Sequence, residues 1–392
     1  MSNLLLRSEI QDFIRSHSSA DVAKLALQKN PFPDVKWNVI IEQIASYQKA
    51  KEKLPTWFSS KFILYPPKVS IEQTSSEITA KYKSTLIKGA SIIDLTGGFG
   101  VDAYYFSKQL KLVVHCEMNE ELSLIAAHNF KELKIQNIDC FPIESSAVLK
   151  KLDTTFDCIY VDPSRRNDSK EKVFQLKDCA PNVPDLLPFY FQYTDTIFVK
   201  TAPFLDIQAG LGELNFVKNI HIIAVDNEVK ELLWELSRGY SSAATIKTVN
   251  LKKERNEVFE FRLNENQQHV TFGFPKKYVY EPNSAIMKSG GFDEIAIQFQ
   301  LEKLHSNSHL YTSNDLIPFP GRVFSIQETI SYQKNEMKLK LNGIKANIST
   351  RNFPESVEEI RKKWNLKDGG ETYCFFTTNF KNRKIVLLCT KI

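Results

Sequence analysis

Six cysteines in 392 residues (Cys116, Cys140, Cys158, Cys179, Cys374 and Cys389) form no C-x-x-C pair, and no nearby histidine completes a zinc spacing. Neither a structural metal nor a disulfide framework is therefore expected. Long apolar runs are also missing. The amino end offers only Leu4, Leu5 and Leu6 before Arg7, Ser8 and Glu9, far short of a signal peptide or spanning helix. A cytoplasmic chain without a membrane partner is the expectation. No internal repeat or low-complexity tract is visible, so no part is read as a solenoid or as disordered. Charge of one sign is scarce as well. The formal net charge of +5 is too small by itself to indicate a polyanion partner.

What is present is ordinary globular composition, 42% hydrophobic with 25% charged and 11% aromatic residues. A chain of this length usually divides its core among two or three domains. The charge is unevenly spread. From Pro320 to Ile392 fourteen Lys and Arg face seven Asp and Glu, a surplus of seven that leaves the preceding residues at −2. A basic module on a near-neutral body suits a polyanion-binding attachment, and the plain alternative is a solvated surface.

Apolar spacing over the first seventy residues is helical: Leu6, Ile10 and Phe13, then Val22 and Leu25, then Val39, Ile40 and Ile44, with Ser19 and Asp21 as start signals. Residues 1–70 are read as a helical domain, with a further helix after it over EQTSSEITAKYKSTLIKG. From 71 to 264 the runs SIIDL, KLVVHCE, DCFPI, FDCIYVD, DTIFVKT and NIHIIAVD alternate with helical stretches. That order predicts an α/β domain with a mostly parallel, Rossmann-like sheet, its ligand at the carboxyl ends of the strands. Asn227, Glu228, Lys230 and Glu231 read as the start of a helix after the sixth strand. Residues 265–319 read as a small α+β segment and 320–392 as the basic module, in which Lys338-Leu339-Lys340-Leu341 reads as a strand with one wet face.

The chemistry concentrates at the strand ends. Asp94 closes the first strand, and Thr96-Gly97-Gly98-Phe99-Gly100 turns the chain into a helix. Glycine allows close backbone approach and positive φ, and the amides opening the helix offer donors to a ligand. Gly98-x-Gly100-x-x-Ala103 also satisfies the dinucleotide fingerprint, with Glu117 at a suitable distance. The glycines alone do not choose between ligands. Asp94 before them resembles the first motif of class I methyltransferases, whose acid supports the amino group of the methionine moiety of S-adenosylmethionine. Glu117, ending the second strand, can take both ribose hydroxyls, and Met118 beside it can lie against adenine. The plain alternative is an exposed strand-end acid with a core methionine.

Asp162-Pro163-Ser164-Arg165 comes after the fourth strand and resembles the D/N-P-P-x loop of methyltransferases acting on amino nitrogens or RNA bases. An acid and a rigid backbone there can aim an amine lone pair. Asp162 and Pro163 are thus the candidates for aiming the acceptor, and Asp162 counts among the cofactor residues too. Ser164 and Arg165 stand where many relatives place a stacking aromatic, so Arg165, with Arg166, is assigned a base or phosphate contact. Glu144 after the third strand can hold the adenine amino group or simply start a helix. Lys200 reads as solvated and His115 as structural.

IEQTSSEITAKYK, DLTGGFGVD, VDPSRR and IKANISTRNFPESVEEIRKK together resemble a bacterial family of class I S-adenosylmethionine-dependent methyltransferases with a ferredoxin-like segment and a C-terminal THUMP-like domain. In several other families the THUMP module lies amino-terminal to the catalytic domain. The resemblance implies S-adenosylmethionine as cofactor, held by Asp94, Thr96, Gly98, Gly100, Glu117, Met118, Glu144 and Asp162. It also implies methylation of a base, at an amino nitrogen, in structured RNA such as transfer RNA, gripped through the basic module and without a metal. Still open are a protein or small-molecule methyltransferase, an NAD-dependent oxidoreductase, and a silent RNA-binding relative.

Overall fold

The computed structural model describes residues 2–164, 175–265 and 269–392. It divides into two compact units, Met1–Lys218 with Leu232–Ser241 and Asn219–Glu231 with Ser242–Ile392. Among the described residues no helix is long and apolar enough to cross a membrane.

The first unit opens with short helices, the longest of them Trp37–Lys53. Asp21 caps the Val22–Ala26 helix by accepting from the amides of Ala23 and Lys24, and Ser76 caps Glu77–Leu86 through Thr79. Such caps fill donors that a helix start leaves unpaired. The amino-terminal helices share a core with the α/β region. Trp57 is wholly buried, its ring 4.8 Å from Tyr104 and 6.1 Å from Phe99. The Asn129 carboxamide clasps the backbone of Leu64 at 3.0 and 2.8 Å.

Five parallel strands come next: β1 (Ser91–Asp94), β2 (Leu112–Cys116), β3 (Ile138–Phe141), β4 (Cys158–Val161) and β5 (Thr196–Thr201). β6 (Val217–Val225) and β7 (Glu228–Ser237) succeed them in the chain. Within the first unit the order is β3-β2-β1-β4-β5, with β7 antiparallel beside β5 from Thr196–Ser237 to Thr201–Leu232. β4 and nearly all of β1 and β5 are buried, which is why their sequences are continuously apolar. The α/β, Rossmann-like reading therefore holds. The segment after Asp226 and Asn227 departs from the helix expected there. Both residues have left-handed backbone, φ 47° and 67°, and the chain continues as strand β7. The alternation of Glu228 and Lys230, which looked like helical pairing, is the two-residue period of a strand, and the two side chains pair at 2.6 Å.

In the second unit β8 (Thr245–Leu251) runs parallel to β6 and antiparallel to β9 (Glu257–Arg262). β10 (Tyr278–Pro282), β11 (Glu302–Lys303), β12 (Tyr311–Ser313), β13 (Gly321–Ser331), β14 (Asn347–Arg351), β15 (Thr372–Thr378) and β16 (Lys384–Lys391) form a seven-stranded sheet. Its order is β11-β12-β10-β13-β16-β15-β14, antiparallel except for β14 with β15. Lys338-Leu339-Lys340-Leu341 is not a strand but part of a helix, Lys334–Leu341. The buried pair is Met337 and Leu341, four residues apart, while Leu339 is 81% exposed. The alternating lysines had hidden a helical face. That face packs with Ile360 and Trp364 of the Val357–Trp364 helix against Phe376 and Val386.

Candidate active site at the strand ends

The ends of β1, β2 and β4 lie side by side because the strands are in parallel register, Asp94 opposite His115 on one flank and Tyr160 on the other. Thr96 ties two of them together. Its amide and hydroxyl donate to Asp94 Oδ1 at 3.0 and 3.4 Å, and its hydroxyl accepts the Asp162 amide at 2.6 Å. The glycine loop is tied to the third end, since the Gly97 amide donates to the Cys116 carbonyl at 2.8 Å. The Glu117 carboxylate accepts from the amides of Gly98 at 3.0 Å and Asn119 at 2.7 Å. Asp94, Thr96, Gly98, Gly100, Glu117 and Asp162 thus form one connected group.

The glycines have separate duties. A Cβ on Gly97 would lie 2.3 Å from His115 Nε2, and one on Gly100, at φ 83°, 2.4 Å from the Phe130 ring. Both are packed from below. Gly98, at φ 55°, has only the Thr96 carbonyl near its Cβ position, at 3.8 Å. It is the glycine that leaves room for a ligand above the loop. His115 beneath is wholly buried, and burial lowers its pKa to about 4, leaving a neutral, packed imidazole in the structural role expected of it.

Asp94 is 1% exposed, and burial pushes its carboxyl up to about 8, helped by Asp102 and Asp162 and opposed by the Thr96 amide and Lys83. Among the described residues both of its hydrogen bonds land on Oδ1. Asp162 pairs with Lys200 of β5 through Oδ2, and among the described residues its Oδ1 has no hydrogen-bond partner. Lys200 is 9% exposed, so the solvated reading of this lysine is wrong. A cation within a strand otherwise buried on both faces needs a buried partner, and that signal was present in FVKT.

Sequence reasoning also missed a second pair behind the site. Lys83, fully buried, lies 2.9 Å from Asp102 and donates to Ser75 at 2.7 Å and Tyr160 at 3.2 Å. The Ser75 and Tyr160 hydroxyls in turn donate to Asp102 at 2.7 and 2.9 Å. Burial alone would raise the Asp102 carboxyl, but Lys83 and Lys200 together hold it below the usual range.

The remaining candidates are more loosely attached. Met118 is 77% exposed. Glu144 caps the Ser145–Leu152 helix, accepting from the amides of Ser146 at 3.0 Å and Ala147 at 3.1 Å. These bonds outweigh its partial burial and hold its carboxyl below the usual range. Pro163 is buried, and Ser164 exchanges backbone hydrogen bonds with Ala180 at 2.8 and 3.0 Å. Arg165 and Arg166 lie outside the described residues.

The open space at the Gly98 Cβ position, the unshared oxygens of Asp94 and Asp162 and the spare lone pairs of Glu117 fit a ligand carrying a cation and hydroxyls. Residues 278–320 match the family model of a ferredoxin-like domain, and 321–391 that of a THUMP-like domain. The whole chain resembles a crystal structure classed as a methyltransferase from Porphyromonas gingivalis W83. The two are 30% identical with a TM-score of 0.87, over 99% of this chain and 98% of that one. A protein classed as an RNA methyltransferase from Pyrococcus horikoshii aligns over 39% of this chain and 74% of its own, at 20% identity and a TM-score of 0.28. TrmK of M. capricolum, solved with S-adenosyl-homocysteine, aligns over 45% and 71% at 12% identity and a TM-score of 0.32. No curated protein sequence matches the chain.

Proposed function

Because the chain belongs to the bacterial class I methyltransferase family with a ferredoxin-like segment and a C-terminal THUMP-like domain, we propose that it methylates an amino nitrogen of a base in structured RNA, such as transfer RNA, using S-adenosylmethionine. The observation that carries this reading is the buried carboxyl of Asp94 at the end of β1. Asp102 pairs with Lys83 and Asp162 with Lys200, whereas Asp94, pushed up to about 8 by burial, has no ion-pair partner among the described residues. The methionine ammonium of the cofactor would lie beside Asp94 and favour its ionised form. A dinucleotide would bring a pyrophosphate there instead, against a buried acid, which argues for the methyl donor over NAD.

When bound, the cofactor supplies a methyl carbon already activated on a sulfonium. Asp94 and Thr96 would hold its amino end, Gly98 and Gly100 would make room for it, and Glu117 would accept from its ribose hydroxyls. Met118 and Glu144 are the proposed adenine contacts. Asp162, paired with Lys200 through its other oxygen, accepts a hydrogen bond from the acceptor amine and turns the nitrogen lone pair toward the methyl carbon. Positioning of this kind can supply much of the acceleration. The nitrogen becomes strongly acidic as it is methylated, so even a lysine-paired carboxylate oxygen can take its proton. Pro163 keeps the loop backbone rigid, and Arg165 is the proposed base or phosphate contact.

Incubation of the full chain with tritiated S-adenosylmethionine and total RNA, with nucleoside analysis of the product, tests the proposal. A labelled N-methyl nucleoside is expected. Label found only in protein that survives ribonuclease would shift the reading to a protein methyltransferase. Stabilisation in a thermal melt by NAD but not by S-adenosylhomocysteine would sink the cofactor assignment.

A further inference from the structure

A cleft of about 650 Å³ opens in the second unit, lined by His305, Asn307, Asn352, Phe353, Asn382 and Lys384 among others. Its centre is an imidazole whose tautomer the backbone dictates. The Asn307 amide donates to His305 Nδ1 at 3.0 Å, so Nδ1 carries no proton and Nε2 does. Nε2–H donates to Asn382 Oδ1 at 3.1 Å, and Asn352 Nδ2 donates to Nδ1 at 3.0 Å. Each asparagine is thereby held by one end of its carboxamide. The other ends, a donor on Asn382 Nδ2 and an acceptor on Asn352 Oδ1, have no partner among the described residues, nor has the Asn307 side chain.

The surroundings are cationic and partly aromatic. Lys381, Arg383 and Lys384 flank Asn382 in sequence, and none has a carboxylate within ion-pair distance among the described residues. By contrast Arg361 pairs with Asp368, and Lys363 pairs with Glu355 at 3.1 Å. Phe353, half-buried and 4.9 Å from the Tyr332 ring, forms an apolar wall, with the Lys384 ammonium 5.9 Å from its centre. Among the described residues no acidic side chain lines the cleft. Left-handed backbone at Asn352 and Asn382, φ 51° and 58°, accounts for asparagine in two turns. It does not account for two turns presenting oriented carboxamides to one histidine beside unpaired cations.

We propose that this cleft binds an unpaired nucleotide of RNA, contacting the base through the free carboxamide ends and the phosphate through Lys384 and its neighbours. Bases splayed out of a helix offer donors, acceptors and an apolar face together, whereas those in a duplex do not. The proposal rests on the RNA reading above and adds a second contact point, built from other residues than the acceptor site. A cleft of this volume is within the usual range for small-ligand sites.

The test measures fluorescence anisotropy of the full chain with a short labelled single-stranded RNA and with a blunt duplex of the same sequence. Asn352→Gly combined with Asn382→Gly, which removes both carboxamides and tolerates the left-handed backbone, is expected to weaken single-strand binding about tenfold while duplex binding changes less than about twofold. Lys384→Ala should weaken both and flatten their salt dependence. Both sites are exposed turns, and unchanged thermal unfolding of the variants establishes that they fold. Unaltered single-strand binding by the double variant overturns the cleft assignment, leaves the RNA reading standing and returns the cleft to a protein partner. Equal losses on both RNAs overturn base contact in favour of backbone contact alone. If the unmodified chain binds neither RNA, the RNA reading falls and the cleft proposal with it.

Discussion

Two lysine–aspartate pairs lie within the same unit, and they differ in what remains unsatisfied. Lys83 and Asp102 are enclosed, their side chains 0% and 10% exposed, with Ser75 and Tyr160 taking up further donors and acceptors. Lys200 and Asp162 sit at the carboxyl edge of the sheet, their side chains 11% and 34% exposed, and one Asp162 oxygen keeps its lone pairs. The same two residue types thus make a buried pair in one place, where among the described residues Asp102 Oδ1 meets only Lys83, and an open acceptor at the sheet edge in the other. The closed pair fixes the Glu77–Leu86 helix against the start of the Val101–Ser107 helix, whereas the open pair holds a charge ready for a substrate.

The largest expected effect breaks the closed pair. Lys83→Met leaves the Asp102 charge buried without its cation, which costs about 3–5 kcal/mol of stability, measurable by denaturant unfolding. A loss below about 1 kcal/mol would mean that the pair is not a structural anchor. The open pair should behave in the opposite way. Asp162→Asn keeps the shape but weakens the hydrogen-bond acceptor and leaves no base. We expect kcat to fall about a hundredfold, or about 2.7 kcal/mol, with a stability loss smaller than that of Lys83→Met, because the Asn carbonyl still accepts from Lys200 and the pair is partly exposed. Equal stability losses in both variants would erase the distinction between the pairs.

Both pairs also mark where sequence reading stopped. The strands were legible because β1, β4 and β5 are continuously apolar, and the loop because Asp94 precedes the glycines at a strand end. The Lys83–Asp102 pair was not, because its members are nineteen positions apart on separate helices, and on its own each looks like an ordinary polar helix residue. Lys200 was passed over as solvated although a strand buried on both faces left it nowhere wet to go. Lys338-Leu339-Lys340-Leu341 failed differently. Four residues alternating in polarity satisfy the strand period, and only Met337, one place outside the window, discloses the helical spacing.

A smaller effect sharpens the charge argument at the edge. Burial raises Asp94 to about 8, so near neutral pH it is mostly protonated without ligand, and an ammonium beside it favours the carboxylate. Binding of S-adenosylhomocysteine therefore releases a proton, and affinity must rise with pH below the raised value. The expected slope is about tenfold, or 1.4 kcal/mol, from pH 6 to 7, flattening above pH 8. Isothermal titration in buffers of different ionisation enthalpy measures the proton directly. Affinity that is flat or falls over that interval would remove Asp94 from the ammonium contact.

Glu144 gives the smallest expected effect and asks to which kind of carboxylate it belongs. Like Asp102 it is occupied locally, both oxygens accepting amides of its own helix start. Like Asp162 it comes just after a strand of the parallel sheet, where the cofactor adenine is proposed to lie. Glu144→Gln keeps one acceptor oxygen, so as a cap it should cost no more than about 0.5–1 kcal/mol of stability. If capping is its whole role, affinity for S-adenosylhomocysteine stays the same. If it also receives the adenine amino group, the exchange of a charged acceptor for a neutral one should weaken binding about three- to tenfold. Inosine and adenosine analogues of the ligand separate the two cases. An adenine contact makes the unmodified protein prefer the adenosine form and the variant lose part of that preference, whereas a cap leaves the preference unchanged in both.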